Sequence, residues 1–168
     1  VSEVSDQSEF LGNTSIQRQN IENITFETNI PNTVYNELTG EYVDTTAWDV
    51  SSRQDKSIIA WYETSNSKGA LKVHIGSNGE IFANKDSTNL FKWIDYGDIC
   101  TATETITNIG LLNVSSVTNM YQMFETTGTK SMTVLDLGNN FDTSNVTNMG
   151  AMFVHTGEPV SYTHLRAH

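Results

Sequence analysis

The chain has 168 residues, with nine Lys and Arg residues against 20 Asp and Glu residues, and its net charge at pH 7 is -11. A nucleic-acid partner is not expected, because the chain has no basic cluster that could neutralise a phosphate backbone. The longest apolar run, at 58–62, is far shorter than the roughly 20 residues of a membrane span. The single cysteine, Cys100, excludes an internal disulfide and a multi-thiolate metal site.

The two ends of the chain differ in composition from the rest. Residues 1–20 are polar and lack sustained periodicity, which predicts a linker or the incomplete edge of a preceding region. The last nine residues, VSYTHLRAH at 160–168, resemble a translated adapter of short-read sequencing libraries. We therefore treat 160–168 as a non-native tail, which removes His164 and His168 from the candidate ligands.

Residues 21–105 carry short apolar stretches that are typical of a β-rich module. Leu71, Val73 and Ile75 alternate with polar residues, which predicts a half-buried strand. The sequence Gly-Ser-Asn-Gly at 76–79 predicts a hairpin turn from this strand into Ile81. Further strands are expected at the remaining apolar stretches, which lie at 24–26 and 57–63.

A repeat occupies the following region. The segment LNVSSVTNMYQMF at 112–124 returns as FDTSNVTNMGAMF at 141–153, with a constant offset of 29 residues. The apolar residues of each copy fall three or four positions apart, which predicts one face of a short helix. The alternation of TVLDL at 133–137 predicts a strand between the copies. The predicted repeat core comprises Val117, Met120, Met123, Phe124, Leu135, Leu137, Val146, Met149, Met152 and Phe153.

One strand and one short helix per repeat predict an α+β fold. Residues 21–105 would form a β-rich N-terminal capping module, and 106–159 would form the first coils of a leucine-rich-repeat-like solenoid. A single coil cannot bury its apolar stripe without a neighbour, so stacking would explain why the chain repeats itself.

The repeat, together with LDL at 135–137, resembles that of the BspA-type leucine-rich-repeat surface proteins of bacteria. The segments at 23–28, 47–63 and 71–91 resemble the module that precedes those repeats. Two features depart from the family pattern, namely the spacing of 29 instead of twenty-odd residues and ETTG in place of a Gly-Cys pair. The resemblance implies an extracellular or cell-surface protein whose repeats mediate adhesion or protein binding, and it supplies no catalytic residues.

Acidic residues offer the main alternatives to a binding role. Asp95 and Asp98, or Asp136 and Asp142, are close in sequence, but that proximity does not place two carboxylates across a catalytic cleft. The segment DLGNNFD at 136–142 lacks the Gly and Glu positions of an EF-hand loop, which leaves an irregular cation site as the open alternative. We therefore predict a non-enzymatic protein without a cofactor or a metal ion.

Four residues are candidates for contact with a ligand. Thr133 and Asp136 are predicted to face solvent from the strand. Trp48 and Trp93 can stack on sugar rings or anchor protein contacts, with core packing as the open alternative. The expected partners are host or bacterial surface proteins or glycans. The function predicted from the sequence is adhesion or protein binding through the solenoid surface, and the alternative is a structural stalk or an accessory module of a larger secreted enzyme.

Overall fold

The computed structural model describes residues 4–157 and contains eleven short strands in this part of the chain. Strands β1 to β4 are Glu9–Phe10, Asn13–Gln17, Ile21–Glu27 and Tyr35–Asn36, and strands β5 to β8 are Glu41–Tyr42, Trp48–Asp49, Ile59–Thr64 and Leu71–Gly76. Strands β9 to β11 are Ile81–Phe82, Ile106–Thr107 and Leu112–Asn113. Within residues 4–157 the helical segments are two 3-10 turns, Arg18–Asn20 and Ile109–Leu111.

The fold is therefore nearly all-β, and the predicted α+β fold is wrong. Neither 3-10 turn exceeds three residues, and no segment within 4–157 forms an α-helix. The strand-and-helix solenoid is wrong for the same reason, since residues 121–131 form consecutive turns where the apolar spacing predicted a helix. The apolar residues at three- and four-residue intervals lie in turns, and these turns direct their side chains into the core.

A five-stranded mixed sheet, with the order β10-β3-β8-β7-β6, forms the N-terminal half of the core. Strands β10, β3 and β8 run parallel, whereas β7 is antiparallel to both β8 and β6. The predicted strand at 71–75 is confirmed, but the predicted hairpin at 76–79 is wrong. Strand β9 pairs in parallel with β11 and not with β8. Within the predicted turn, the Asn78 side chain instead accepts a hydrogen bond from the Ile30 N–H at 2.9 Å.

The structure reveals a third copy of the repeat, upstream of the two that the sequence shows. We call residues 86–95, 119–128 and 148–157 the first, second and third turn segments. Asp86 pairs in parallel with Asn119, and Asn119 pairs in parallel with Asn148. Each of these three side chains accepts a hydrogen bond from the N–H two residues later, at 3.0, 2.9 and 2.9 Å. The first copy escaped detection because it precedes the second by 33 residues and shares few of its side chains.

Backbone hydrogen bonds join neighbouring turn segments at alternate residues. The N–H groups of Met120, Gln122, Phe124 and Thr126 donate to carbonyls of the third segment, at 2.8 to 3.0 Å. The N–H groups at 87, 89, 91 and 93 donate in the same way to the second segment. In an α-helix, each of these N–H groups would donate to the carbonyl four residues earlier in its own segment. Because the N–H groups donate to a neighbouring segment instead, the hydrogen bonds between segments exclude the predicted helix.

Phenylalanine rings stack through the three turn segments. Phe124 lies 5.4 Å from Phe91 and 5.4 Å from Phe153, measured between ring centroids. Seven of the predicted repeat-core residues are buried, while the other three are partly buried against the same hydrophobic cluster: Val146, Met149 and Phe153. This cluster also contains Ile24, Val73 and other side chains of the five-stranded sheet, so the sheet and the turn segments share one core.

Residues 4–20, for which the sequence predicts a linker or the incomplete edge of a preceding region, form the antiparallel pair β1 and β2 followed by a 3-10 turn. Phe10 and Ile16 are buried in the common core. Polarity alone does not distinguish a linker from a folded edge, because two well-placed apolar side chains suffice to hold a short hairpin against a larger sheet. The predicted non-native tail at 160–168 lies outside the described residues.

Candidate functional site

The two tryptophans predicted to contact a ligand hold the N-terminal segment in place. The indole N–H of Trp48 donates to the Leu11 carbonyl at 3.0 Å, and the indole N–H of Trp93 donates to the Val4 carbonyl at 3.0 Å. Both side chains are half-buried. These contacts match the packing alternative that the sequence left open for both residues.

Thr133 and Asp136 lie within the segment 133–137, for which the sequence predicts a strand, and both are exposed. The segment at 133–137 forms only an isolated parallel bridge, between Val134 and Glu104. Asp136 accepts a hydrogen bond from the Gly138 N–H at 2.9 Å, which closes a turn. The structure does not bring Thr133 and Asp136 together with Trp48 and Trp93, since none of the four lines the cavities described next.

A cleft passes around the side chain of Phe82. Two adjoining cavities, of about 540 and 660 Å³, share Val50, Ile58, Phe82 and Asn84 in their walls. We call them the apolar cavity and the polar cavity, and together the Phe82 cleft. Phe82 is 57% exposed although it follows Ile81, which is buried. The alternation of β9 places Ile81 in the core and turns Phe82 outward into the cleft.

The apolar cavity has a floor built from the hydrophobic core. Phe26, Ile75, Ile81, Phe91 and Leu112 line it, and all five are buried. Its volume of about 540 Å³ falls within the range of roughly 300 to 1,000 Å³ that is usual for small-molecule pockets. The floor can therefore contact an apolar group about the size of a large side chain or a short acyl chain.

The polar cavity carries charges of both signs. Arg53, Asp55 and Lys56 come from the loop between β6 and β7, and Glu37 comes from the loop after β4. The pKa of Asp55 is lowered, because the Ser57 hydroxyl and N–H donate hydrogen bonds to its carboxylate. Lys56 lies 5.6 Å from the centre of the Tyr35 ring, and its ammonium donates to the Gly40 carbonyl at 3.1 Å. This part of the cleft can hydrogen-bond a polar ligand through several exposed side chains.

Arg18 lies in the wall of the apolar cavity and is only 8% exposed. Its Nε donates to the Glu9 carbonyl at 3.1 Å, and its Nη1 lies within 3.1 Å of the carbonyls of Asn89, Leu90 and Lys92. Burial lowers the pKa of Arg18 to about 10, against the opposing effect of the Glu9 charge. The guanidinium therefore stays charged at neutral pH, and it joins the N-terminal hairpin to the first turn segment.

Sequence reasoning missed the cleft because its parts are dispersed along the chain. Arg18 lies in a stretch for which the sequence predicts a linker or an edge, and Phe82 directly follows Ile81, where the sequence predicts a strand after a turn. One signal was available, since Arg18 is the only basic residue among the first 50 and lies two positions after the apolar Ile16 in SIQR at 15–18. That signal indicates an unusual position for a charge, but it does not indicate the cavity beside it.

Other chemistry-bearing side chains are dispersed. His74 bonds Glu27 through Nδ1 at 2.7 Å and stacks on Trp61, with ring centroids 5.2 Å apart. Within residues 4–157, no group of three or more His, Cys, Asp or Glu side chains is arranged to hold a metal ion. None of the helical segments in the same range has the length and apolarity that a membrane crossing requires.

Comparison with known proteins gives one match. Residues 98–158 match the model of a family described as "Mycoplasma protein of unknown function, DUF285". The matched range, about a third of the chain, contains both repeat copies that the sequence shows, at 112–124 and 141–153. Comparisons with curated proteins and with solved structures gave no match. The C-terminal part of the chain is therefore similar to a bacterial protein family of unknown function.

Proposed function

We propose that this chain is a non-enzymatic binding module of a bacterial cell-surface or secreted protein, and that its ligand occupies the Phe82 cleft. The observation that carries the proposal is the phenyl ring of Phe82, 57% exposed between two cavities that share it as a wall. Large aromatic side chains beside well-formed pockets supply much of the affinity at protein binding sites.

The resemblance of the repeat to BspA-type surface proteins supports the cellular location and the adhesive role. The expected partner is a host or bacterial surface protein or glycan, which would contact Phe82 and the polar cavity together. The charged side chains of the polar cavity, Arg53, Asp55 and Lys56, suit the rim of such an interface, where they set orientation more than affinity.

The binding proposal is tested with labelled protein on cultured epithelial cells and on bacterial cells, read by flow cytometry. Phe82→Ala should weaken cell binding by about tenfold or more, since an anchoring aromatic side chain contributes on the order of 2 kcal/mol. The matched control is Val154→Ala, which shortens an apolar side chain that is 44% exposed and lies outside the cleft. Val154→Ala should bind as the parent protein does.

Equal binding by the parent protein and Phe82→Ala would contradict a role for the cleft. Absence of binding to every cell type would contradict the adhesive role and favour the alternative of a structural stalk. The hydrogen bonds that join successive turn segments support that alternative, because they fix the direction in which the segments add. Both variants should keep the parent melting temperature within a few degrees, since each changes an exposed side chain.

A further inference from the structure

The Arg18 guanidinium uses only part of its hydrogen-bonding capacity within the protein. Nε and Nη1 contact backbone carbonyls, whereas Nη2 has no acceptor among residues 4–157. Nη2 is also absent from the fully enclosed side-chain atoms that lack a partner in that range. Because Arg18 lines the apolar cavity, the two N–H groups of Nη2 are available to an acceptor inside that cavity.

The positive charge of Arg18 also lacks an ionic partner. No carboxylate among residues 4–157 lies within 4 Å of the guanidinium, and its other contact is the Phe10 ring, 5.5 Å from Cζ. Neutral carbonyls and a ring face compensate only part of the cost of burying a charge. A buried cation beside an open cavity is therefore expected to favour an anionic group in that cavity.

We propose that the apolar cavity binds a monocarboxylate with an apolar body, with the carboxylate on Nη2 of Arg18 and the body on the floor of Phe26, Ile81 and Phe91. The inference rests on the proposed binding role of the Phe82 cleft and names the chemistry of its ligand. A free fatty acid and a peptide C-terminus with an apolar last residue share this chemistry.

The side chains on the floor and at the mouth of the apolar cavity favour a ligand that carries a single charge. The five buried side chains of the floor are uncharged, so a second charge there would lose its hydration without compensation. Glu9 and Asp86 line the mouth, where both are exposed and water screens their repulsion of an entering anion. Only one end of the ligand can therefore be charged.

The test compares acids with their matched amides on the unmodified protein, by isothermal titration calorimetry. One pair is octanoate and octanamide, and the other is acetyl-Ala-Ala-Leu with a free C-terminus and with a C-terminal amide. At least one acid should bind about tenfold or more tightly than its amide, because the amide oxygen can still accept a hydrogen bond but lacks the negative charge that strengthens it against a buried guanidinium. The pair that shows the preference identifies the source of the carboxylate.

Two variants separate the contribution of Arg18 from that of the cleft as a whole. Arg18→Lys keeps the charge but cannot present Nη2, so the preference for acid over amide should fall to about threefold or less. Phe82→Ala should weaken an acid and its amide by similar factors. The melting curve of Arg18→Lys is measured first, and the comparison on the unmodified protein decides the matter if that variant does not fold.

Equal affinities of the acid and the amide in both pairs would overturn the inference, while weaker binding of acid and amide alike in Phe82→Ala would leave the proposed function standing. Absence of binding by all four compounds would also overturn the inference. In that case the cell-binding experiment with Phe82→Ala decides the proposed function independently, because it does not depend on the chemistry of the ligand.

Discussion

The five-stranded sheet and the three turn segments bury similar apolar side chains but satisfy their backbones in different ways. In the sheet, β3, β7 and β8 form ladders of six or seven residues, and each strand has extended neighbours. In the turn segments, alternate N–H groups bond a neighbouring segment, while those between them bond the carbonyl three residues back. The sheet therefore depends on long extended strands, whereas the segments depend on turns of matching shape.

The turns need residues in the left-handed region of backbone conformation. Asn89, Gln122 and Ala151 occupy equivalent positions and have φ values of 62°, 55° and 53°. A left-handed conformation costs an L-residue roughly 1 to 2 kcal/mol, so these positions carry strain that extended strands avoid. The stacking of the segments compensates for that strain.

The largest expected effect comes from the middle of the aromatic stack. Phe124→Ala removes a fully buried ring between Phe91 and Phe153, and it should lower the free energy of unfolding by about 3 to 5 kcal/mol. Chemical denaturation measures the loss in the free energy of unfolding. Hydrogen exchange shows which parts of the chain lose protection. Because one hydrophobic cluster spans both regions, protection should fall in the sheet as well as in the turn segments.

Phe124→Ala also tests whether the five-stranded sheet and the turn segments unfold as one cooperative unit. If β3 and β8 kept their full protection while the turn segments exchanged freely, the two regions would be independent cooperative units. Val154→Ala serves as the control, and it should change the free energy of unfolding by about 0.5 kcal/mol or less, since Val154 is exposed.

A second prediction concerns the buried carboxyl at the junction of the regions. The Asp95 N–H donates to the Ile21 carbonyl of β3 at 2.7 Å, and its side chain, 0% exposed, accepts a hydrogen bond from the Thr105 hydroxyl at 2.7 Å. Burial raises the pKa of Asp95 from 3.8 to about 7, with a further contribution from the negative charge of Glu22. The folded state therefore binds more protons than the unfolded state between pH 4 and 7.

The sign of the pH dependence follows from that raised pKa. The stability that the protonated Asp95 contributes is fully present below about pH 4 and is lost as the pH rises through 7. Asp95→Asn should remove this loss and stabilise the protein at pH 8 by about 2 to 4 kcal/mol. Urea denaturation at several pH values measures the effect.

Asp98→Asn provides the control for the pH experiment. Asp98 is exposed and pairs with Lys130 at 2.9 Å, and a hydrogen bond from that ammonium lowers the pKa of Asp98 below the tested window. Asp98→Asn should leave the decline between pH 5 and 8 in place. If the free energy of unfolding of Asp95→Asn still declined between pH 5 and 8, groups other than Asp95 would cause the pH dependence.

The smallest expected effect tests the left-handed turns. Ala151→Gly replaces an L-residue at a φ of 53° with the residue that adopts this conformation freely, so it should stabilise the protein by about 0.5 kcal/mol. Ala60→Gly in the extended strand β7 is the matched control and should destabilise it by about 1 kcal/mol. If both substitutions destabilised the protein, the turn segments would not differ from the extended strands in carrying left-handed backbone strain.

The sequence predicts which residues of the repeat are apolar and periodic, but not the backbone that buries them. Met120, Met123 and Phe124 fit a helical face, and the same spacing fits successive turns of three residues. The choice between the two depends on hydrogen bonds from Gln122 and Phe124 to residues 28 positions further along the chain. No local window of sequence contains that information, so the helix prediction failed.

The cleft was less accessible to sequence reasoning than the core. Its floor combines β3, β8, β9 and β11 with the first turn segment, and its charged wall comes from Arg18 in a stretch that reads as polar. Strand patterns located β7 and β8 because an apolar run and an alternation of apolar and polar residues are both local properties. A cavity depends on how distant segments pack, and the composition of each segment alone does not reveal it.

The bonding of the turn segments has a consequence for how the surface can evolve. Thr88, Tyr121 and Gly150 hold equivalent positions, and each backbone N–H donates to the Asp or Asn side chain two residues earlier. The acceptor of each of these N–H groups belongs to the residue two positions earlier, so the hydrogen bond does not depend on the side chain at the donor position. That side chain is different in each of the three segments. Substitutions at Thr88 and Tyr121 can therefore alter the outward face of successive segments while the backbone N–H keeps its acceptor, whereas a side chain at Gly150 would meet the Tyr121 ring about 3.0 Å away.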